Sequence, residues 1–282
     1  MIPQMYTPVA VPTMDFRLDF DSGVVSVGSC FADEIGSRLA GSGFAVEQNP
    51  FGTLYNPASV AAALERLVDC REIGDDDLVL HEGLYHSWHH HGSFSRPDKD
   101  ETVGVCNARI HKAHCALREA RLLMVTFGTA WVYELESGMV VANCHKLPAG
   151  MFSRRRMTKG EIVSLWRPLL QKIKTFNPNL TVLFTVSPIR HLADGAHGNQ
   201  LSKATLLLAV DELDANYFPA YEIVLDELRD YRFYGPDMTH PSPLAVEVVW
   251  DRFCEAFMAP NVRQQAHNNM KQQKRKQHIP LH

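Results

Sequence analysis

The chain lacks most of the features that mark secreted, membrane or nucleic-acid-binding proteins. Its six cysteines, Cys30, Cys70, Cys106, Cys115, Cys144 and Cys254, form no Cys-x-x-Cys pair. This excludes a zinc ribbon, and their scatter gives no disulfide framework. The first 16 residues have no basic segment followed by an apolar core, so no secretory leader is expected. No apolar run reaches the length that crosses a bilayer, so no membrane insertion is expected. Basic residues are not in surplus: 28 Lys and Arg face 32 Asp and Glu, for a net charge of −4. A whole-chain nucleic-acid partner is therefore not indicated. There is no internal repeat. Together these absences point to a cytoplasmic protein with reduced thiols. What remains is an ordinary globular balance. Of 282 residues, 45% are hydrophobic and 21% charged, enough apolar material for one large domain.

The stretch Val24 to Gly36 organises the rest. A β-branched run, Val24-Val25-Ser26-Val27, enters the turn Gly28-Ser29. A segment with Phe31, Ile35 and Leu39 at helical spacing leaves it. In an open α/β sheet such a turn lies at the carboxyl end of a strand, where ligands bind. The free N–H groups of a helix start favour an oxyanion there. Ser29 reads either as a nucleophile at that point or as an ordinary helix N-cap.

Residues 1–22 read as an N-terminal arm and 23–258 as the main domain. Further helices are expected over about 58–68, 107–119, 159–175, 200–213 and 243–258. Strands are expected at 44–46, 122–127, 139–141, 180–186 and 221–226. Leu122 to Phe127 and Leu180 to Val186 are almost wholly apolar, as strands buried on both faces are. Residues 71–107 are polar and carry His81, His86, His89, His90 and His91, and read as an insertion or lid. The segment 259–282, rich in Gln, Asn and Lys, reads as a disordered tail. Strands alternating with helices imply a parallel, doubly wound α/β sheet.

Short motifs are spread along the chain: Gly28-Ser29-Cys30-Phe31-Ala32, Asn49-Pro50-Phe51-Gly52, Gly128-Thr129-Ala130-Trp131 and Asn143-Cys144-His145-Lys146. They continue with Ser187-Pro188-Ile189-Arg190-His191, Asp230-Tyr231-Arg232-Phe233-Tyr234 and Asp237-Met238-Thr239-His240-Pro241. On these motifs the chain resembles the GSCFA family, a branch of the SGNH/GDSL hydrolase superfamily. The resemblance implies a three-layer α/β/α, flavodoxin-like fold with a mostly parallel central sheet. It also implies a serine esterase or O-acyltransferase acting on an acyl ester, possibly on a carbohydrate, without metal or organic cofactor. Ser29 falls on the nucleophile, Asp237 and His240 on the Asp-x-x-His element, and Gly52 on the second-block glycine. The superfamily's third block, Gly-x-Asn-Asp, is replaced by Gly128-Thr129-Ala130. Thr129 or Asn143 is the candidate for the missing oxyanion donor.

The chemistry of these residue types agrees. A serine hydroxyl needs a base; His240 can take and return its proton; Asp237, three residues earlier, can fix the tautomer and stabilise the imidazolium. A thiol nucleophile, Cys30, is the rival. The His86–His91 cluster has no accompanying Cys or carboxylate at metal-ligand spacing. His145 and His191 each stand beside a basic residue after an apolar run, and line the substrate site or are satisfied structural histidines. Lys146, Arg190 and Lys203 meet an anionic substrate or form ion pairs. The basic tail residues Lys271, Lys274, Arg275 and Lys276 read as a solvated charge run. A binding module that kept the pocket without turnover is the alternative to an enzyme.

Overall fold

A computed structural model describes residues 6–277. Ten strands and eight α-helices follow in chain order. The first half holds β1 (Val24–Gly28), α1 (Cys30–Gly41), β2 (Val46–Gln48), α2 (Pro57–Val68), β3 (Leu78–His81), β4 (Leu84–Ser87), α3 (Lys99–Glu119) and β5 (Leu122–Phe127). Next come β6 (Trp131–Glu134), β7 (Val140–Val141), β8 (Ser153–Arg156), α4 (Lys159–Phe176), β9 (Thr181–Val186) and α5 (Gly195–Glu212). The chain continues through β10 (Asn216–Tyr217), α6 (Ala220–Glu222), α7 (Pro243–Phe257) and α8 (Pro260–Gln277).

The central sheet has the order β10-β9-β5-β1-β2, and every pairing in it is parallel. Read from the other edge this is the flavodoxin-like order, with its switch point between β1 and β5. The carboxyl ends of those two strands are Gly28 and Phe127, so the turns Gly28-Ser29 and Gly128-Thr129 open side by side.

Side chains of the sheet alternate between two cores. Val25, Val27, Leu123, Val125, Phe127 and Phe184 join the layer under α2, α3, α4 and α5. Val24, Leu122, Met124 and Leu183 join the layer under α1 and α7. Both faces of β1 and β5 are thus dry, which is why their sequences are continuous apolar runs. Each fully buried Val, Leu or Phe contributes roughly 1.5–3 kcal/mol. Local chemistry sets the helix starts. Asn56 accepts from Ser59 N–H at 2.8 Å with Pro57 at the first helical position. Thr158 and Glu161 form a reciprocal capping box at α4.

Three expectations are corrected. Residues 221–226 are not a strand: α6 runs into a π-helix over Ile223–Leu228. Its apolar run is short, and a short run does not distinguish strand from helix; Ala220, Ile223 and Val224 all face the α7 core. The edge strand lies earlier, at β10. The segment 260–277 is a helix, not a disordered tail; residues 278–282 of that expected tail lie outside the described residues. Val262, Ala266 and Met270, four residues apart, pack on the second core, and Asn269 Nδ2 donates to Ser42 O at 2.8 Å. Finally, α3 begins at Lys99 rather than 107; the segment 71–107, expected as an insertion or lid, holds the first turns of that helix and the antiparallel hairpin β3–β4. Its turn, Glu82-Gly83, has φ of 47° and 76°, the left-handed pair that a tight hairpin requires.

Candidate active site

A cleft of about 580 Å³ opens over the carboxyl ends of β1, β5 and β9. Cys30, Tyr55, Asn56, Thr129, Asn143, Arg190, His191, Thr239 and His240 line it. Trp131, Tyr133 and Arg154, from the small antiparallel sheet β7-β6-β8, form its outer wall. The Arg154 guanidinium lies 4.2 Å from the Trp131 ring centroid and pairs with Asp194.

Ser29 caps α1, its Oγ accepting from Phe31 N–H at 3.3 Å. It is only 1% exposed, at the floor beside Gly128. A Cβ placed on Gly128 would stand 3.3 Å from Ser29 Cβ and 3.5 Å from His191 Nε2. The lack of a side chain at 128 is what lets these two groups share that point. The turn before Ser29 is held by Asn49, whose Oδ1 accepts from Gly28 N–H at 2.9 Å and whose Nδ2 donates to Asp33 at 2.7 Å.

His240 and Asp237 are brought together. His240 Nδ1 lies 2.6 Å from Asp237 Oδ2. The other oxygen of Asp237 accepts from the N–H groups of Thr239 and His240. These hydrogen bonds, that of the His240 ring first, hold the Asp237 carboxyl at about 2. The pair sits on the loop between the π-helix and α7, half-exposed, and Ser29 and His240 are not hydrogen-bonded to each other. Gly235 N–H donates to His240 O at 2.7 Å, which closes the loop.

The other expected site residues divide. Thr129 Oγ1 lies in the cleft wall but is engaged, 3.0 Å from Ser202 Oγ and accepting from Trp131 N–H at 3.2 Å. Asn143 lines the cleft, and its Oδ1 accepts from His145 N–H at 2.8 Å. Arg190 is fixed by Nη1 donating to Met238 O at 2.9 Å. Gly52 is not on the cleft; its N–H donates to Asn49 O at 2.7 Å and its face is covered by His91. His145 is buried away from it, bonded to Ser87 O at 2.9 Å and stacked on His86 at 4.5 Å. The remaining histidines of the cluster have structural partners: His86 with Ser95, His89 with Asp77, and His90 with Ser87 and the Phe51 ring. Among the described residues no group of three or more His, Cys, Asp or Glu is arranged to hold a metal ion.

Among the described residues Lys203 forms no ion pair. It is 1% exposed, and its Nζ donates to Gly128 O at 2.6 Å and Ser187 O at 2.7 Å. Burial lowers it to about 7. His191 is lowered to about 4, first by burial and then by the Lys203 charge, so its imidazole is neutral at pH 7. Tyr55 was missed in the sequence: its carbonyl accepts from both Gly128 and Thr129 N–H, at 2.8 and 2.9 Å. A backbone contact leaves no mark on residue type.

A flavodoxin-like α/β/α fold with a serine turn and a His–Asp pair at one sheet edge defines the class. The GSCFA family model matches residues 23–253, and the chain belongs to that family. No curated protein matches it. Among solved structures it is similar to the periplasmic domain of a lipopolysaccharide acetyltransferase of Salmonella ser. Paratyphi A, at 10% identity and TM-score 0.40, over 84% of either chain. It is also similar to an acetyl xylan esterase from the rumen bacterium Butyrivibrio proteoclasticus, at 10% identity and TM-score 0.40, over 84% of this chain and 64% of that one.

Proposed function

We propose that the chain is an ester-acting serine enzyme, an esterase or O-acyltransferase, that works through an acyl group carried on Ser29. The observation that carries this reading is the 2.6 Å Asp237–His240 pair, with His240 on the wall of the cleft and Ser29 buried next to the lining residue Cys30. His240 takes the Ser29 proton as Oγ bonds to the ester carbonyl carbon. The alcohol then leaves with that proton, and water or an acceptor hydroxyl releases the acyl group by the reverse steps. Asp237 keeps the imidazole in register and stabilises its charged form. Because Ser29 and His240 are not bonded, the substrate-bound state must draw the loop of His240 inward; apo contacts of this kind are commonly loose. The polar, aromatic walls suit a carbohydrate ester. No residue of this scheme calls for a metal or organic cofactor. No described helix is long and apolar enough to cross a membrane, and all six cysteines are unpaired, in keeping with a cytoplasmic setting.

A second reading, a binding module without turnover, draws on the burial of Ser29 and on Cys30 rather than Ser29 lining the cleft. Labelling with a fluorophosphonate, followed by peptide mapping, separates them. The enzyme reading expects an adduct on Ser29, lost in Ser29→Ala and much slower in His240→Ala. A folded protein that takes no label at Ser29 leaves the binding module, and an alkylation-sensitive activity lost in Cys30→Ala alone transfers the nucleophile to the thiol.

A further inference from the structure

The donors around Ser29 can be accounted for one by one, and most are engaged. Ser29 N–H donates to Thr126 O at 3.1 Å, Gly52 N–H to Asn49 O, and both Gly128 and Thr129 N–H to Tyr55 O. Thr129 Oγ1 is held between Ser202 and Trp131. An oxyanion forming on a carbonyl attacked by Ser29 therefore finds none of these free. Two groups remain. One is the N–H of Cys30, the first residue of α1, which has no acceptor within its helix. The other is His191 Nε2, a buried ring nitrogen with no well-formed hydrogen bond among the described residues and only a loose contact with the Gly128 backbone; it lies 3.5 Å from the point where a Gly128 Cβ would stand, a point 3.3 Å from Ser29 Cβ and 3.1 Å from Tyr55 O.

We propose that His191 Nε2–H supplies the oxyanion contact that the missing Asn of Gly-x-Asn-Asp would otherwise give, with Lys203 beneath it as the positioning residue. The inference rests on the serine-enzyme reading and deepens it. The ring must be neutral for this role, with its single proton on Nε2, and must not give that proton up. As Oγ bonds to the carbonyl carbon, the C=O electron pair moves onto oxygen and accepts from Nε2–H. The Ser29 proton goes to His240, and the C–O bond to the alcohol breaks when the pair returns.

Lys203 serves this arrangement in two ways. Its ammonium ties the carbonyls of Gly128 and Ser187, the residues that follow β5 and open Ser187-Pro188-Ile189-Arg190-His191. One buried group thus fixes the spacing between the Ser29 floor and the His191 arm. When protonated, which a value of about 7 leaves only partly so at neutral pH, its charge has no carboxylate beside it among the described residues; that form opposes imidazolium at His191 and favours negative charge forming above Gly128. Asn199, whose Oδ1 accepts from His191 N–H at 2.9 Å, and the edge of the Tyr55 ring hold the histidine in place.

Hydrolysis of p-nitrophenyl acetate by the full chain tests the donor. His191→Ala should lower kcat roughly 10²-fold with little change in KM. His191→Gln, which returns an N–H near Nε2, should recover most of the loss. If His191→Gln is as slow as His191→Ala and both match Ser29→Ala, His191 is a base and the donor role fails. If His191→Ala turns over like the parent, the role also fails. A parent without Ser29-dependent turnover overturns the functional reading itself, a result distinct from either. Lys203 is tested by imidazole NMR: in Lys203→Met the His191 ring should titrate at a higher pH than in the parent. An unchanged midpoint in a folded Lys203→Met protein removes Lys203 from the proposal. If Lys203→Met does not fold, Lys203→Arg, which keeps the charge, should leave the midpoint near the parent's, and a midpoint raised to the ordinary histidine value near 6.5 refutes it.

Discussion

Replacing Gly28 by alanine should unfold much of the protein. Gly28 has φ of 137° and pairs with Thr126 across β1 and β5. A Cβ there would lie 2.1 Å from Thr126 O and 2.8 Å from Thr126 C, well inside the roughly 3.5 Å of an ordinary contact. Neither atom is the end of a flexible side chain, so the two central strands must part by about 1 Å or more. Overpacking of this kind costs about 1–3 kcal/mol. The disfavoured φ costs a further ~1–3 kcal/mol. Weakening of the Ser29 N–H to Thr126 O bond adds about 1 kcal/mol. A loss of about 3–7 kcal/mol is expected, a large part of the stability of a typical domain, about 5–15 kcal/mol. Urea unfolding followed by tryptophan fluorescence measures it. Gly74→Ala is the control, since nothing lies within 4 Å of a Cβ there and its φ is −127°; it should change stability by less than ~0.5 kcal/mol. A Gly28→Ala protein less than about 1 kcal/mol weaker than the parent would refute the steric reasoning.

Ser29→Ala and His240→Ala should each remove nearly all turnover, and the double variant should be hardly worse than either, since the residues act as one unit; additive losses in kcat would count against the triad. Asp237→Asn should be less damaging than His240→Ala in the same assay, because the base remains. Thr129→Val should cost about 1–2 kcal/mol in urea unfolding through its lost bonds to Ser202 and Trp131, while kcat falls less than in His191→Ala; the reverse order would return the oxyanion role to Thr129. His90 is neutral in the fold, lowered by burial from 6.5 to about 3. Its unfolded form takes up a proton first as pH falls, so its contribution is present above about 6.5 and is lost toward 3. His90→Phe should therefore flatten the pH dependence of stability between pH 6 and 4, as read by urea midpoints, and an unchanged slope would remove His90 from the acid response.

The sheet was legible in the sequence because burial on both faces leaves Val24–Val27, Leu122–Phe127 and Thr181–Val186 almost wholly apolar or β-branched, with the small Ser26 the exception. The Asp237–His240 pair was legible because three residues on a tight loop place the two side chains together. Other elements left weaker marks. The stripe Val262, Ala266, Met270 is thin within a strongly polar segment, so composition hid the helix. Ile223 and Val224 form too short an apolar run to separate strand from helix. Lys203 reads as a surface charge on residue type alone; only the convergence of two carbonyls explains a lysine there. Tyr55 acts through its backbone, which residue type does not report. Gly52 matches its motif in sequence, while its N–H is turned to Asn49 and its face to His91.

The central place of β1 has a consequence for how activity fails. β1 is flanked by β2 and β5, and its amides are closed by both neighbours. Amides of such a strand exchange with solvent only when the whole domain opens. His240 belongs to a half-exposed loop outside the sheet, held by its own turn bonds and by Arg190, and a surface loop of this kind opens at lower cost than a central strand. On the proposed assignment, the nucleophile Ser29 and the base His240 would therefore sit in units of different local stability. Mild denaturant or warming should then release His240 while Ser29 stays mounted in an intact sheet, with inactivation preceding unfolding.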